Sequence, residues 1–168
     1  MSLSIDQVAI PTFTRSLTAL QSILNKGADF AKEKNIEAEN LVNARLIVDM
    51  HPLKRQVQMV TDTARRALCQ LAGQEVPVAT DNEETFEALQ KRVADTLAFV
   101  AEFDASSLQG TEGKVITLPF GENGLDLDGC TFLMSFAIPN FYFHMAACYN
   151  ILRSNGVAVG KMDFLGAP

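Results

Sequence analysis

The sequence has no tryptophan, only two histidines and only three cysteines among its 168 residues. The cysteines, Cys69, Cys130 and Cys148, are odd in number, far apart and outside any CxxC motif, which excludes a disulfide framework. Reduced thiols are typical of cytosolic proteins, so we predict a cytoplasmic location. The first residues lack a basic region and carry Asp6 where a signal sequence would have its apolar core, so we expect no export.

The chain also lacks an excess of basic residues. Its 14 Lys and Arg are outnumbered by 20 Asp and Glu, and the net charge is −6. Phosphate binding requires a concentrated basic surface, so a role in nucleic-acid binding is not expected. The densest basic pairs, Lys54-Arg55 and Arg65-Arg66, are interpreted as part of a solvated helix face.

Charged residues are absent from a run of 24 positions, Gly129 to Leu152. This run is long enough to suggest a membrane span. It nevertheless contains polar residues and a proline, and such polar groups are costly at bilayer depth. They are Ser135, Pro139, Asn140, His144 and Asn150. The run therefore predicts a helix buried on most sides in a protein core, and no membrane association.

Nucleophile and phosphate-binding motifs are missing as well. The sequence has no GxSxG, HExxH, P-loop or GxGxxG pattern. Cys148 lies one helical turn beyond His144, but burial among apolar residues would raise the pKa of its thiol. A catalytic cysteine is therefore not predicted.

Hydrophobic residues at helical spacing predict four long helices. The first carries the stripe Ile10 to Leu24, ends at Asn25-Lys26-Gly27 and is followed by a short helix over 28–34. The second carries the stripe Leu53 to Leu71, with Pro52 in its first turn and Gly73 as its end.

The third helix is predicted to open with a capping box, in which Thr80 and Glu83 satisfy each other's backbone donors before the stripe Phe86 to Val100. The fourth is the uncharged run, with Asn155-Gly156 as its end. Two short segments, 114–118 and 125–128, flank a Pro- and Gly-containing turn and predict a β-hairpin.

These elements predict a single all-α domain over residues 1–168, a four-helix bundle with a small β-hairpin in the crossover between the third and fourth long helices. The tail, 157–168, carries several apolar residues and is predicted to lie across the body of the bundle.

The candidate ligand pocket centres on His144. A four-residue step places Asn140 on the same helix face. His51 and Gln56 at the second helix could reach the same cavity. Arg45 and Asp49, in the connector before that helix, could pair with each other or hold a small polar ligand. Each of these groups also has a purely structural interpretation, such as a hydrogen bond between helices or an ion pair that fixes the connector.

Two stretches, LVNARLIVDMHPLKRQVQMV (41–60) and PNFYFHMAACYNILRSNG (139–156), resemble an uncharacterised family of bacterial and fungal proteins. That family is placed within the DinB/YfiT-like superfamily of proposed metalloenzymes, and the similarity extends over nearly the whole chain. The resemblance implies a DinB-like four-helix bundle that is often a homodimer.

The resemblance also implies a divalent-metal site made of three histidines, one on the second helix and two, four residues apart, on the last. Position by position, His51 and His144 match two of them and Asn140 stands in the third place. An amide oxygen is a poor ligand for Zn²⁺ or Ni²⁺, so the resemblance predicts a degenerate site.

Three functions stay open at the level of sequence. The first is the binding of a small molecule, or a stress-related role, without a well-formed metal site. The second is a metal-dependent transferase or hydrolase in which His51, His144 and Asn140 hold the ion. The third is a structural or partner-binding bundle whose pocket has no ligand.

Overall fold

Four long helices form the body of the protein in the computed structural model, which describes residues 4–122 and 124–166. They are α1 (Ile5–Lys34), α3 (Leu53–Ala72), α4 (Phe86–Glu102) and α6 (Ile138–Ser154). The shorter elements are α2 (Ala38–Val42), a 3-10 turn (Ala105–Leu108), β1 (Val115–Leu118), β2 (Leu125–Asp128), α5 (Gly129–Thr131), a π-helical segment (Phe132–Ala137) and α7 (Lys161–Leu165). α1 packs on α4, and α3 packs on both α4 and α6. The predicted all-α fold with a small β-hairpin is confirmed.

The core between these helices contains the apolar stripes that the sequence predicts. Its largest fully buried side chains include Phe13, Phe86, Phe132 and Phe141, one from each of α1, α4, the π-helical segment and α6. The rings of Phe13 and Phe141 lie 5.1 Å apart. Burial of such side chains contributes about 1.5–3 kcal/mol each and is the main force that holds the bundle together.

The uncharged run forms α5, the π-helical segment and α6 without interruption. Its inner side is buried, but Met134 and Phe143 are exposed on its outer side. The expectation of burial on most sides was therefore too strong, because α6 packs mainly on α3 and leaves its outer face open. Among the described residues, no helix is both long and apolar enough to cross a membrane.

The first helix continues through the position where the sequence predicted its end. α1 has 30 residues and stops only at Asn35, which takes the left-handed conformation with φ 52°. Gly27 is buried inside α1, and a Cβ atom there would lie 3.0 Å from the ring of Phe86 and 3.1 Å from Leu152. The glycine is thus used for the close approach of neighbouring helices, and its interpretation as a helix end was wrong.

The third long helix starts later than predicted. α4 begins at Phe86, and its cap is Thr85, whose hydroxyl accepts a hydrogen bond from the backbone of Ala88 at 3.2 Å. The capping box of Thr80 and Glu83 was wrong, because the carboxylate of Glu83 binds Arg92 and Gln58.

Other local predictions are confirmed. β1 and β2 pair antiparallel, with Val115 opposite Asp128, and Gly73 and Gly156 end their helices with positive φ. The tail packs on α1: Arg15 donates to the carbonyl of Leu165 at 2.8 Å. Residue 123 of the predicted hairpin turn and residues 167–168 of the predicted tail lie outside the described residues.

A buried arginine joins α3, α4 and the connector between them. Arg92 is 7% exposed, and its guanidinium binds Asp62 at 2.6 Å, Glu83 at 2.9 Å and Asp81 at 3.1 Å. It also donates to the hydroxyl of Thr61 at 2.7 Å. Burial lowers the pKa of Arg92, but the hydrogen bond with Glu83 and the three carboxylates more than offset this, so the pKa is raised overall.

Replacing this arginine should be costly. Arg92→Met leaves Glu83 buried without its cation, and breaking a buried pair in this way typically costs about 3–5 kcal/mol. We expect the free energy of unfolding to fall by about 3 kcal/mol, near the lower end of this range, because Asp62 and Asp81 retain contact with water. Urea denaturation followed by circular dichroism at pH 7 measures it.

The neighbouring residue supplies a matched control. Lys91 pairs with Asp95 at 2.6 Å on the exposed side of α4, so Lys91→Met should cost less than about 0.5 kcal/mol. Equal losses for the two variants would contradict the assignment of a structural role to Arg92.

Candidate functional site: a cavity between α3 and α6

A π-helical segment supplies one wall of the candidate site. Pro139 has no backbone N–H and its ring conflicts with regular α-helical geometry on its N-terminal side. Directly before it, the backbone N–H of Ile138 bonds to the carbonyl of Leu133, five residues back. The wider turn accommodates the proline, and the exposed positions Met134 and Ser135 allow water to replace the missing donor. Such π segments occur frequently at functional sites.

A cavity of about 290 Å³ lies where this segment and α6 face α3. This volume is at the small end of the range found for ligand pockets, roughly 300–1,000 Å³. Apolar groups from both helices cover part of the wall, and polar side chains cover the rest. The lining residues are Arg55, Met59, Asp62, Thr63, Arg66, Ala67, Gln70, Phe132, Phe136, Ala137, Asn140 and His144.

His144 is held in place by a buried glutamine. The amide nitrogen of Gln56 donates to the backbone carbonyl of His51 at 3.2 Å, which leaves its amide oxygen to face His144. That oxygen lies 2.8 Å from Nδ1 of His144 and can only accept a hydrogen bond. In the neutral imidazole the proton is therefore on Nδ1, and Nε2 carries the lone pair. Within the part of the chain that the structure describes, Nε2 has no hydrogen-bond partner.

The environment favours the neutral form of His144. Burial lowers its pKa, and the nearby positive charges of His51 and Arg55 lower it further. Between the folded-state pKa and the unfolded value of about 6.5, the unfolded chain binds more protons than the folded one. The stabilising contribution of this histidine is thus complete above about pH 6.5 and is lost as the pH falls through the folded-state pKa.

Asn140 is fixed by a second chain of hydrogen bonds. The hydroxyl of Thr63 donates to the carbonyl of Met59 at 2.7 Å, so its oxygen accepts the amide N–H of Asn140 at 2.9 Å. This contact joins α6 to α3 one residue after Pro139, and it supports the structural interpretation of Asn140. It also fixes the amide orientation and leaves the oxygen of Asn140 as the atom that can meet a ligand.

The remaining predicted site residues lie elsewhere. His51 is exposed at the start of α3, and Gln56 stands behind His144; neither lines the cavity. Arg45 and Asp49 are exposed in the connector, where Arg45 donates to the carbonyl of Met50 at 2.6 Å. A pair between Arg45 and Asp49, one of the alternatives left open by the sequence, is not found among the ion pairs of the described residues, where Arg45 bonds to the backbone.

The donors present do not fit a site of three imidazoles. Two features of His144 are typical of metal-binding histidines: Nε2 has no partner among the described residues, and Gln56 holds the other ring nitrogen. Asn140, however, offers only an amide oxygen, and His51 does not line the cavity. In residues 4–122 and 124–166 there is no group of three or more His, Cys, Asp or Glu side chains that could hold an ion.

Cys148 faces the core instead of the cavity. It is completely buried, and burial raises the pKa of its thiol far above the ordinary value. Tyr142 also faces away, since its hydroxyl lies 3.1 Å from the hydroxyl of Ser16 on α1. Neither side chain contributes to the site.

The polar side of α3 was missed by the sequence analysis. Its side chains recur every three or four residues along one helix face, as Met59, Asp62, Thr63, Arg66 and Gln70. This spacing is visible in the sequence, and Arg66 is exposed, as its interpretation as part of a solvated face predicted. Only the position of α6 across this face reveals a cavity there.

The fold is that of a DinB-like helical bundle. The chain is similar to a DinB family member protein from Shewanella denitrificans, whose crystal structure superposes with a TM-score of 0.89 at 37% identity. The match covers 95% of this chain and 90% of the other.

A family model described as a domain of unknown function, DUF1993, matches residues 5–165. The chain belongs to this family. No curated protein is significantly similar to the chain.

The tautomer of His144 can be tested directly. We expect the neutral ring to carry its proton on Nδ1, and Gln56→Met to shift the population toward the Nε2–H tautomer, because methionine removes the accepting oxygen. Long-range ¹H–¹⁵N spectra of the two histidines report the tautomer. Gln70→Met, which changes a lining residue that has no bond to His144, should leave it unchanged. A dominant Nε2–H form in the unaltered protein would contradict the assignment.

Proposed function

We propose that this protein binds a small organic molecule in the cavity between α3 and α6, and that His144 accepts a hydrogen bond from it. The observation that carries the proposal is the orientation of His144 by Gln56, which leaves a neutral Nε2 lone pair in a cavity-lining side chain. A buried polar side chain devoted to orienting one ring is typical of a binding site more than of simple packing.

The chemistry of the wall defines the ligand class. Phe136, Met59 and Ala67 offer apolar contact, whereas His144 and Asn140 offer two hydrogen-bond acceptors. The ligand is accordingly an apolar molecule that carries a hydroxyl or amide N–H, with a volume below that of most drug-sized compounds.

A neutral probe tests the proposal. Octane-1,8-diol has an apolar chain and hydroxyl donors, and we expect it to shift the side-chain resonances of His144 saturably and to release measurable heat in calorimetry. His144→Ala should weaken the binding of the diol because it removes the accepting nitrogen. His51→Ala, outside the cavity, should retain it. Failure of the diol to bind the unaltered protein would contradict the proposal, as would unchanged binding by His144→Ala.

The alternative is a metal-dependent transferase or hydrolase of the DinB-like kind. It is favoured by one feature, the ring of His144 with one nitrogen held by Gln56 and the other free. We expect no stoichiometric Zn or Ni in the untagged protein after incubation with each ion, measured by inductively coupled plasma mass spectrometry. Stoichiometric metal that disappears in His144→Ala would make the enzymatic alternative the better one.

The assembly and the location of the protein are part of the same proposal. We propose a homodimer in the cytoplasm: the three cysteines are free, as in cytosolic proteins, and the exposed Phe143 on the outer side of α6 is available for contact with a second copy.

A further inference from the structure

The cavity has two chemically different ends. His144 lies close to Arg55 and is bonded to Gln56 near the start of α3. Arg66 and Gln70 line the cavity one to two turns beyond the middle of α3. Ten residues separate Gln56, the partner of His144, from Arg66, which is about 15 Å along a helix axis. Met59 belongs to the apolar lining and lies between Gln56 and Arg66 along α3. The cavity therefore has the acceptor His144 beside the paired Arg55 at one end and Arg66 at the other.

Arg66 is the cation at the far end without a carboxylate. Arg55 is paired with Asp81, and Asp62, the one acidic residue of the lining, is bonded to Arg92 at 2.6 Å. Asp81 is shared between Arg55 and Arg92. In the described ranges, 4–122 and 124–166, Arg66 forms neither an ion pair nor a side-chain hydrogen bond.

A second cavity adjoins the first. It has a volume of about 350 Å³, shares Arg55, Asp62 and Arg66 with the first, and adds Arg65 and the extended segment 76–79. Three guanidinium groups meet two carboxylates there, and both carboxylates are also used by Arg92. A positive charge thus remains at the junction of the two cavities, in a chain whose net charge is −6.

From this arrangement we infer that the ligand is an organic anion with two polar ends: a carboxylate bound by Arg66 and a hydroxyl or N–H donor bound by His144, joined by an apolar chain. The planar guanidinium suits a carboxylate, and hydrogen bonds between ions are about twice as strong as neutral ones. The inference rests on the proposed function, because it adds a second contact to the ligand of the same cavity.

Three probes of equal chain length separate the two contacts. Octane-1,8-diol carries two hydroxyl groups, octanoate carries only a carboxylate, and 8-hydroxyoctanoate carries one hydroxyl group and one carboxylate. Calorimetry on the full chain should give a dissociation constant for 8-hydroxyoctanoate at least about tenfold below that of the diol. This advantage should shrink between 20 mM and 500 mM NaCl, roughly as expected for a partly exposed ion pair.

Substitutions at the two ends should have different signatures. Arg66→Gln should remove the advantage of 8-hydroxyoctanoate and leave the affinity of the diol unchanged. His144→Ala should weaken both hydroxyl-bearing probes and spare octanoate. Arg153→Gln makes the same change at an exposed residue of α6 outside the lining and should alter nothing. Circular dichroism melting curves verify that each variant is folded.

The outcomes distinguish the two proposals. If the diol shifts His144 but the anionic probes gain nothing, or if Arg66→Gln leaves the tenfold ratio intact, the inference is overturned and the proposed function stands. If none of the three probes binds the unaltered protein, both are overturned. The expected ratio, its loss in Arg66→Gln and its persistence in Arg153→Gln would together support the anionic ligand.

Discussion

The ion-pair network around Arg92 is the constraint on which the geometry of the site depends. Arg92 lies on α4, Asp62 lies on α3, and Asp81 and Glu83 belong to the connector between them. The pair of Asp62 with Arg92 holds one face of α3 against α4 and the connector. The remaining polar side of α3 faces α6, where Thr63 lines the cavity and Arg66 lines it while still exposed to water. Buried ion pairs contribute little net stability, but they can select one arrangement of the chain.

The second constraint is the shape of the last helix. A regular α-helix from Gly129 to Ser154 would be disturbed by Pro139, and the π-helical segment before it absorbs the conflict. The bond from Asn140 to Thr63 then attaches α6 to α3 immediately after the irregular turn. The π-helical segment contributes Phe132, Phe136 and Ala137 to the wall of the cavity, and α3 contributes most of its polar side chains.

The sequence predicted what depends on local periodicity and missed what depends on contacts between distant segments. The apolar stripes predicted four helices because each has to bury one face, and the four-residue step predicted correctly that Asn140 and His144 share a face. Gly27 was misinterpreted because a buried glycine and a helix-ending glycine look alike in sequence; only Phe86 and Leu152 decide between them. The role of Glu83 was missed for the same reason, since its partner Arg92 is nine residues away on another element.

The arrangement around His144 bears on the choice between an organic ligand and a metal ion. Gln56 would orient the ring in the same way for a metal ion or for an organic donor, so this part of the site suits both functions. Asn140 distinguishes the metal ion from the organic ligand, because it provides a neutral amide oxygen that binds Zn²⁺ or Ni²⁺ weakly but accepts a hydrogen bond well. One free imidazole nitrogen, one amide oxygen and a distant arginine are a poor set of ligands for a divalent cation. The directional contacts that His144 and Asn140 offer support the proposed organic ligand over an ion.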